Sequence, residues 1–451
     1  MTKLTQLERL GLFEAKVPRY TSYPIVSHFS EQVSNEIYKD WLLDIPGKSK
    51  ISIYVHIPFC KRLCWFCACR TQGVQFITPV DNYLKNLAKE LMVLHDLLPK
   101  GISLSHLHWG GGTPTLLPPD RITELSNAIN SIVTVSPTTE FSVEIDPTEV
   151  DLDKIKALVK CGMTRTSFGI QDFNPKIQTS IGRKQSFNET KFAIDQVRDH
   201  GIRSVNIDLV YGLPFQTQTG FDQTIRKIQE LRPDRIALYG YAHVPWMAKR
   251  QRMIPESSLP TPHQRLALFE SAKIVLLSAG YKQVGIDHFA LPEDSMAIAS
   301  DKGKMRRNFQ GYTTDSSEYL IGIGASAISR FPEGYAQNYA STSAYAKVIQ
   351  QGGLAIERGH KFDTYDKMIG QIIESLMCNF QVDTKDIVSN HPISKGQLHS
   401  LFNHVNKQFK FSLKISNKGL SIPESLRPLT RVIARKFDNY ELSHRGHSNA
   451  I

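Results

Sequence analysis

Cys60, Cys64, Cys67 and Cys69 place four of the chain's six cysteines within ten positions, directly after the apolar run Ile51 to Pro58. Thiolates bind soft metals, and three of them on a loop leaving a buried strand can converge on three corners of a cubane iron–sulfur cluster. The fourth iron of such a cluster is then left for a substrate. A structural zinc ion is the competing reading. It would use all four sulfurs in a closed tetrahedron, most often as two separated Cys-x-x-Cys knuckles. A disulfide is the third reading, and nothing at the start of the chain reads as a secretory leader to favour it. Cys161 and Cys378 lie far away in apolar surroundings and are expected to be small core residues.

Other reactive side chains gather where apolar runs end. Gly110-Gly111-Gly112-Thr113 follows Ser103 to Trp109, Glu144 and Asp146 close Phe141 to Asp146, and Gln171 and Asp172 close Thr166 to Gln171. Asp208 falls within Arg203 to Tyr211, and Tyr241 and His243 close Arg235 to Tyr241. Three successive glycines let a backbone approach a ligand closely and expose its amides, as the carboxylate and ammonium groups of a bound amino acid would require. Their spacing matches neither the dinucleotide fingerprint nor the phosphate loop.

Amphipathic helical stretches separate these runs. The first carries Tyr83, Leu87, Leu91, Leu94 and Leu98 on one stripe; others cover Pro119 to Val133, Asp151 to Val159, the segments ending near His200, and Phe221 to Leu231. Six strand–helix units in succession specify a parallel sheet with right-handed crossovers, doubly wound or curled into a barrel. In a barrel all six strand ends share one mouth, where such folds carry their chemistry. Alternation such as Ser142, Glu144 and Asp146 with Phe141, Val143 and Ile145 also fits a half-solvated strand. Six consecutive polar strand ends favour the barrel.

Composition bounds the rest. The chain has 451 residues, 41% hydrophobic and 22% charged, which is ordinary globular composition. No apolar stretch approaches the ~20 residues needed to cross a bilayer. Met1 to Lys16 mixes Leu10, Leu12 and Phe13 with charges of both signs and reads as neither signal nor transit peptide, so a cytoplasmic location is expected. A formal charge of +11 favours an anionic partner. No basic run interleaved with aromatics marks a nucleic-acid track, so an acidic small molecule is the better reading.

Cys-x-x-x-Cys-x-x-Cys followed by Gly-Gly-Gly-Thr-Pro resembles the radical S-adenosylmethionine superfamily. The likeness extends through Tyr54-Val-His56-Ile-Pro-Phe-Cys60, His108-Trp-Gly-Gly-Gly-Thr-Pro-Thr115, Gly169-Ile-Gln171-Asp-Phe173, Asn206-Ile-Asp208-Leu-Val-Tyr-Gly-Leu-Pro214, Tyr241-Ala-His243-Val-Pro-Trp246, Asp287-His288-Phe289-Ala290 and Asn308-Phe309-Gln310-Gly-Tyr-Thr313. Together with Pro18-Arg19-Tyr20-Thr21-Ser22-Tyr23-Pro24, these segments resemble the oxygen-independent coproporphyrinogen III oxidases over nearly the whole chain.

That resemblance implies an α/β fold: a partial (β/α)6 parallel barrel over 48–346, an N-terminal segment 1–47 folding against the active site, and a smaller, mainly helical C-terminal domain over 347–451. It implies a single 4Fe-4S cluster on Cys60, Cys64 and Cys67, with the fourth iron open to S-adenosylmethionine, and two S-adenosylmethionine molecules in all. The matching positions are Tyr54, Gly111, Glu144 and Ile328 for the first, and Phe66, Gly112, Thr113, Gln171, Arg183, Asp208 and Ala242 for the second. His56, Cys69, Phe309 and Gln310 match positions tied to catalysis, each with a bland alternative: a hydrogen-bonded neighbour, a buried thiol, a plain turn. Arg19 could meet a propionate or only cap the cleft, whereas Arg306 and Arg307 read as a solvated pair.

The implied reaction is decarboxylation of two propionates of coproporphyrinogen III to vinyl groups, giving protoporphyrinogen IX for haem biosynthesis. It needs a low-potential electron donor of flavodoxin or ferredoxin type and an electron acceptor, with no nucleic acid, no membrane, and a monomer expected. A haem-transfer protein of the same family and a radical enzyme with a different substrate are the alternatives. The likeness weakens toward the C-terminus, where Ile422 to Pro428 departs from the family's glycine-containing turn. The tail His444 to Ile451 has no counterpart, and its two histidines read as disordered rather than as metal ligands.

Overall fold

Alternate residues of the six expected strands are apolar, and a strand buries such a face only if something covers it. In the computed structural model, which describes residues 3–441 and 449–451, helices do so. The strands are β1 (Lys50–Ile57), β2 (Ser103–Gly111), β3 (Glu140–Ile145), β4 (Arg165–Gln171), β5 (Ser204–Tyr211) and β6 (Arg235–Gly240). Each pairs in parallel with the next in chain order. The crossover helices are α1 (Thr78–Leu97), α2 (Pro119–Asn130), α3 (Leu152–Lys160), α4 (Phe187–Asp199) and α5 (Gln218–Leu231). Local chemistry sets their starts: Asp151 caps α3, Ser186 and Glu189 form a capping box on α4, and Thr217 caps α5.

Ile53, Val55, Trp109, Phe141, Val143, Phe168, Ile207 and Leu238 occupy the helix-facing side of the sheet, and all are buried. Each such side chain contributes about 1.5–3 kcal/mol to folding. The other side carries Ser52, Tyr54, His108, Ser142, Glu144, Ser167, Asn206, Asp208 and Tyr239, and all of them line one cavity of about 380 Å³. The sheet is therefore curled, and the polar face that resembles a solvated strand in sequence is the wall of a lumen.

The sheet runs further than six strands. β7 (Lys282–Val284) and β8 (His288–Ala290) add antiparallel beyond β6. On the other side β9 (Tyr319–Ile323) pairs in parallel with β1, followed antiparallel by β10 (Ile328–Phe331), β11 (Gly334–Asn338) and β12 (Ile356–Lys361). The boundary expected at residue 347 therefore falls inside the sheet, because β12 closes its edge. Glu357, Arg358 and Lys361 break up the apolar pattern that would have marked β12 as a strand. Past it the chain is mostly helical, with Thr364–Asn379, Lys395–Gln408 and Thr430–Arg435 around a small three-stranded sheet.

The N-terminal segment lies against these outer strands: Ser30 and Gly359 exchange backbone hydrogen bonds at 2.8 Å, and Trp41 packs on Phe331. Cys378 is buried as expected, while Cys161 keeps partial exposure at the end of α3. Among the described residues no helix is long and apolar enough to cross a membrane. His444 and His447 lie outside the described residues.

One buried acid ties α1 to the turn after β9. Glu90 accepts from the Gly324 amide at 2.8 Å, the Tyr345 hydroxyl at 2.6 Å and the Asn338 amide at 2.7 Å. Burial outweighs these bonds and raises its pKa from 4.5 to about 7. Between those two values the folded chain holds a proton that the unfolded chain has released, so stability falls as pH rises through that window. We expect Glu90→Gln to remove this part of the pH dependence. Melting midpoints of both proteins from pH 4.5 to 7 check it, and parallel curves would refute it.

Candidate active site

The cysteine loop is held at both ends. Past β1, Phe59–Cys60 pairs with Gln72–Gly73, the Val74 amide donates to the Cys60 carbonyl at 3.0 Å, and the Trp65 amide to Ile181 at 2.9 Å. Gln251 donates to the Phe66 carbonyl at 2.8 Å. Cys60, Cys64, Cys67 and Cys69 all line the barrel cavity, and all are free thiols. Cys64 is buried and Cys69 is the exposed one. Among the described residues no three His, Cys, Asp or Glu side chains are gathered tightly enough for one metal ion. A cubane sets each thiolate on its own iron and asks for a wider triangle than a zinc tetrahedron does.

Donors face two of the sulfurs. Arg183 Nη1 donates to Cys64 Sγ at 3.5 Å, and the Cys69 amide donates to Cys67 Sγ at 3.4 Å. The Cys69 side chain, outweighing burial, and then the Cys69 amide, Arg250 and Arg183 bring the Cys67 thiol down to about 6. Burial pushes Cys60 up to about 11.

The glycine run works differently from the expectation. Its amides are not exposed: Gly111 donates to Glu144 Oε2 at 3.0 Å, Gly112 to the Ile57 carbonyl at 2.9 Å and Thr113 to the Phe59 carbonyl at 2.8 Å. These positions are glycine for want of room. A Cβ on Gly111 would stand 2.3 Å from the His56 ring, and one on Gly112 would stand 2.5 Å from the Phe59 carbonyl. The turn thus stitches the end of β2 to the start of the cysteine loop.

His56 reaches the site through a neighbour. Its Nε2 donates to the Arg70 carbonyl at 3.0 Å, leaving Nδ1 to accept from the Tyr54 hydroxyl at 3.0 Å. Burial keeps its pKa low, so the neutral form is the one present. Tyr54 stacks on His108, which donates through Nε2 to Glu144 Oε1 at 3.1 Å. Burial acts to raise the Glu144 carboxyl, but His108 and the Gly111 amide outweigh it and hold it below the usual carboxylate range. Its side chain keeps 39% exposure to the cavity, which leaves lone pairs for a ligand's ammonium group. Asp208 accepts from Ser167 at 3.0 Å and Asn206 at 2.9 Å; burial, then Glu144, raise its pKa.

Gln171 is aimed into the cavity by a bulge in the β4–β5 pairing, with a left-handed φ of 70°. Arg183 is spent inside the protein, on Asp146 at 3.0 Å, Gln185 at 3.0 Å and the Gly169 carbonyl at 2.7 Å, so it offers no free fork to a carboxylate. Asp146 also meets Arg62 at 3.2 Å. Asp172 is fully buried and holds Gln216 at 2.7 Å and Thr224 at 2.8 Å, a tie between β4 and α5 rather than a site group. Tyr241 donates to His243, whose other nitrogen meets Glu256 at 3.0 Å, and both stand outside the cavity lining.

The cavity therefore gathers Tyr54, Phe66, Gly111, Gly112, Thr113, Glu144, Gln171, Arg183, Asp208 and Gln310 with the four cysteines. His56, Ala242, Ile328 and Phe309 stand outside its lining; the Ala242 carbonyl accepts from Gln251 at 3.0 Å, and Ile328 opens β10. Sequence reasoning passed over His108, Tyr239 and Arg250. The first two lie on the lumen side of their strands and were legible by period two. Arg250, which donates to Thr71 at 2.8 Å beside Cys69, sits in a basic 3₁₀ turn that carries no such signal.

Arg306 and Arg307 are not a solvated pair. Adjacent strand residues face opposite ways, so Arg306 turns out to Glu374 at 2.9 Å while Arg307 turns in over the Tyr312 ring at 4.4 Å.

A parallel partial barrel with a Cys-x-x-x-Cys-x-x-Cys loop at its mouth defines a radical S-adenosylmethionine protein, and the family model described as "Radical SAM superfamily" matches residues 54–228. A 4Fe-4S cluster and S-adenosylmethionine come with that class. An oxygen-independent coproporphyrinogen III oxidase of Paracoccus denitrificans is 49% identical over 100% of both chains, and one of Cereibacter sphaeroides 47% over 98% of each. A solved structure from Escherichia coli, described as coproporphyrinogen III oxidase (HemN), superposes with a TM-score of 0.89 at 34% identity, covering 95% of this chain and 100% of that one. The chain belongs to the family of oxygen-independent coproporphyrinogen III oxidases.

Proposed function

We propose that this chain converts coproporphyrinogen III to protoporphyrinogen IX without oxygen, by oxidative decarboxylation of two propionates to vinyl groups, in haem biosynthesis. The observation that carries this reading is Cys60, Cys64 and Cys67 on the wall of the cavity that also holds Glu144 and Asp208. Those three thiols would hold the cluster. When bound, the cluster would supply the single electron for reductive cleavage of S-adenosylmethionine, and with it the hydrogen-abstracting power that loss of carbon dioxide and one electron from a propionate requires.

The chain's own residues bind and orient. Glu144 would accept from the ammonium group of a first S-adenosylmethionine, with Tyr54 fixed by His56 as part of its bed. Gly111, and Gly112 and Thr113 for a second molecule, contribute close approach rather than amides. Asp208, Gln171 and Phe66 offer a carboxylate, an amide and a ring to that second molecule. Arg183 acts through Asp146 and Cys64, holding the loop in place. Ile328 and Ala242 would shape the edges. Cys69, Gln310 and Phe309 flank the approach to the substrate, and His56 is a positioning residue. There is little acid–base work here; holding the reacting carbon close and keeping water out is the protein's contribution.

A low-potential donor of flavodoxin or ferredoxin type, an electron acceptor, a monomeric state and a cytoplasmic location complete the reading. Anaerobic incubation of reconstituted protein with S-adenosylmethionine, a reductant and coproporphyrinogen III tests it. The expected result is divinyl product with two 5'-deoxyadenosines per porphyrinogen. Tight haem binding without turnover, or 5'-deoxyadenosine without vinyl product, would replace it.

A further inference from the structure

Beside the barrel cavity lies a second one of about 440 Å³, and the two share Cys69, Tyr239 and Gln310 in their walls. Arg19, Arg265, Arg307, Arg427 and Arg431 face it, brought together from the N-terminal segment, the helix Pro262–Ser278, the hairpin after Met305 and the C-terminal region. The acidic side chains in its wall, Glu270, Asp287 and Glu424, are fewer than these five arginines and Lys273: Asp287, in the field of Arg307 and Arg19, is also bound to His288 at 2.7 Å, and Glu424 stands 3.8 Å from Lys273.

The guanidinium groups bond mainly to neutral carbonyls, Arg265 to Tyr241 at 2.6 Å and Arg307 to Tyr20 at 3.1 Å. Arg265 Nε, Arg307 Nη1 and Arg427 Nε are buried without a hydrogen-bond partner. Burial, and then the neighbouring Arg19, lower the Arg431 pKa to about 10. Buried cations with unused donors are costly unless an anion enters to meet them.

Part of the space is taken by the chain itself. Asn449 and Ala450 offer carbonyl oxygens to Arg431, the Ala450 amide donates to Ala15 at 2.8 Å, and Ile451 is buried in the wall. A carboxylate arriving at Arg431 would replace neutral acceptors with a charged one, the stronger partner for a guanidinium.

We infer that this cavity grips the carboxylates of the propionate chains that are not reacting, and that the shared wall of Cys69, Tyr239 and Gln310 is the passage through which the reacting chain enters the barrel. The inference rests on the substrate proposed above. It makes the arginines specificity-determining: they select a polycarboxylate and set its depth, while the cysteine side performs the chemistry.

Fluorescence titration of the full chain with coproporphyrin III, the oxidised form of the substrate, and with its tetramethyl ester tests this without a loaded cluster. Arg431→Gln and Arg427→Gln should each raise Kd for the acid roughly tenfold, Arg431→Lys less, and the ester should be indifferent to all three. Melting midpoints identify any variant that misfolds, and Arg431→Lys, which keeps the charge, separates packing from recognition. An unchanged Kd in both glutamine variants, or an ester that binds the wild type as tightly as the acid, overturns the inference. If the wild type still forms vinyl product in that case, the proposed reaction stands alone. A wild type that neither binds the acid nor turns over coproporphyrinogen III sinks both.

Discussion

Cys64→Ala is expected to remove the cluster and all turnover while leaving the barrel folded. The thiol is 7% exposed and contributes one sulfur to a loop that is otherwise tied by backbone bonds, to Ile181 at 2.9 Å among them. Losing it leaves a cavity about the size of one atom, and Arg183 keeps its ion pair with Asp146 at 3.0 Å, so no buried charge is orphaned. A cubane held by two thiolates is lost to solvent or never assembles. Electron paramagnetic resonance of the reduced, reconstituted protein should show no cluster signal, and product formation should fall to background with an unaltered circular dichroism spectrum. Cys69→Ala is the contrast: the cluster signal persists if three sulfurs are the ligands. A four-cysteine site would lose its metal in both variants.

Gly112→Ala should be the most damaging of the single-methyl additions at this site. The new Cβ would stand 2.5 Å from the Phe59 carbonyl, 2.7 Å from the Ile57 carbonyl and 2.8 Å from the Phe59 amide, all of them backbone. No side chain can turn away to relieve this, so the end of β1 must move. The cost is about 2–3 kcal/mol of overpacking, together with the Gly112 and Thr113 hydrogen bonds that join the turn to the cysteine loop. The expected outcome is a lower unfolding midpoint together with reduced iron content after reconstitution. Gly352→Ala, where nothing lies within 4 Å, is a control for added volume, although its positive φ of 78° carries backbone strain of its own. Unchanged stability and iron loading in Gly112→Ala would mean that the turn has slack.

Much of this could be read before any coordinates. The cysteine spacing, six alternating strands and the polar residue at each strand end are local properties, because strand periodicity and ligand spacing lie in neighbouring positions. The carboxyl-terminal half of the sheet was less legible. β7 to β12 are three to six residues long, too short for two-residue alternation to rise above chance, and each is held by partners far away in the chain.

The glycine run shows the same division at one site. Its sequence calls for close approach and exposed amides; the close approach is there, to the cysteine loop, while the amides of Gly111, Gly112 and Thr113 are spent on protein acceptors. Arg183 and Arg307 meet partners that their sequence neighbours do not reveal: a side chain's type states what it can bind, while its neighbours in space decide which donors are already taken. Arg183 is consumed by Asp146 and Cys64, whereas Arg307 keeps an unpaired donor facing a cavity.

Sequence alone determined the parallel strand–helix units, the cysteine spacing and the family, because each is written in short-range pattern. Tertiary structure decided which polar groups remain available and assembled an arginine cavity from four distant stretches of chain. Burial and competition for hydrogen bonds arise only once those stretches are packed together.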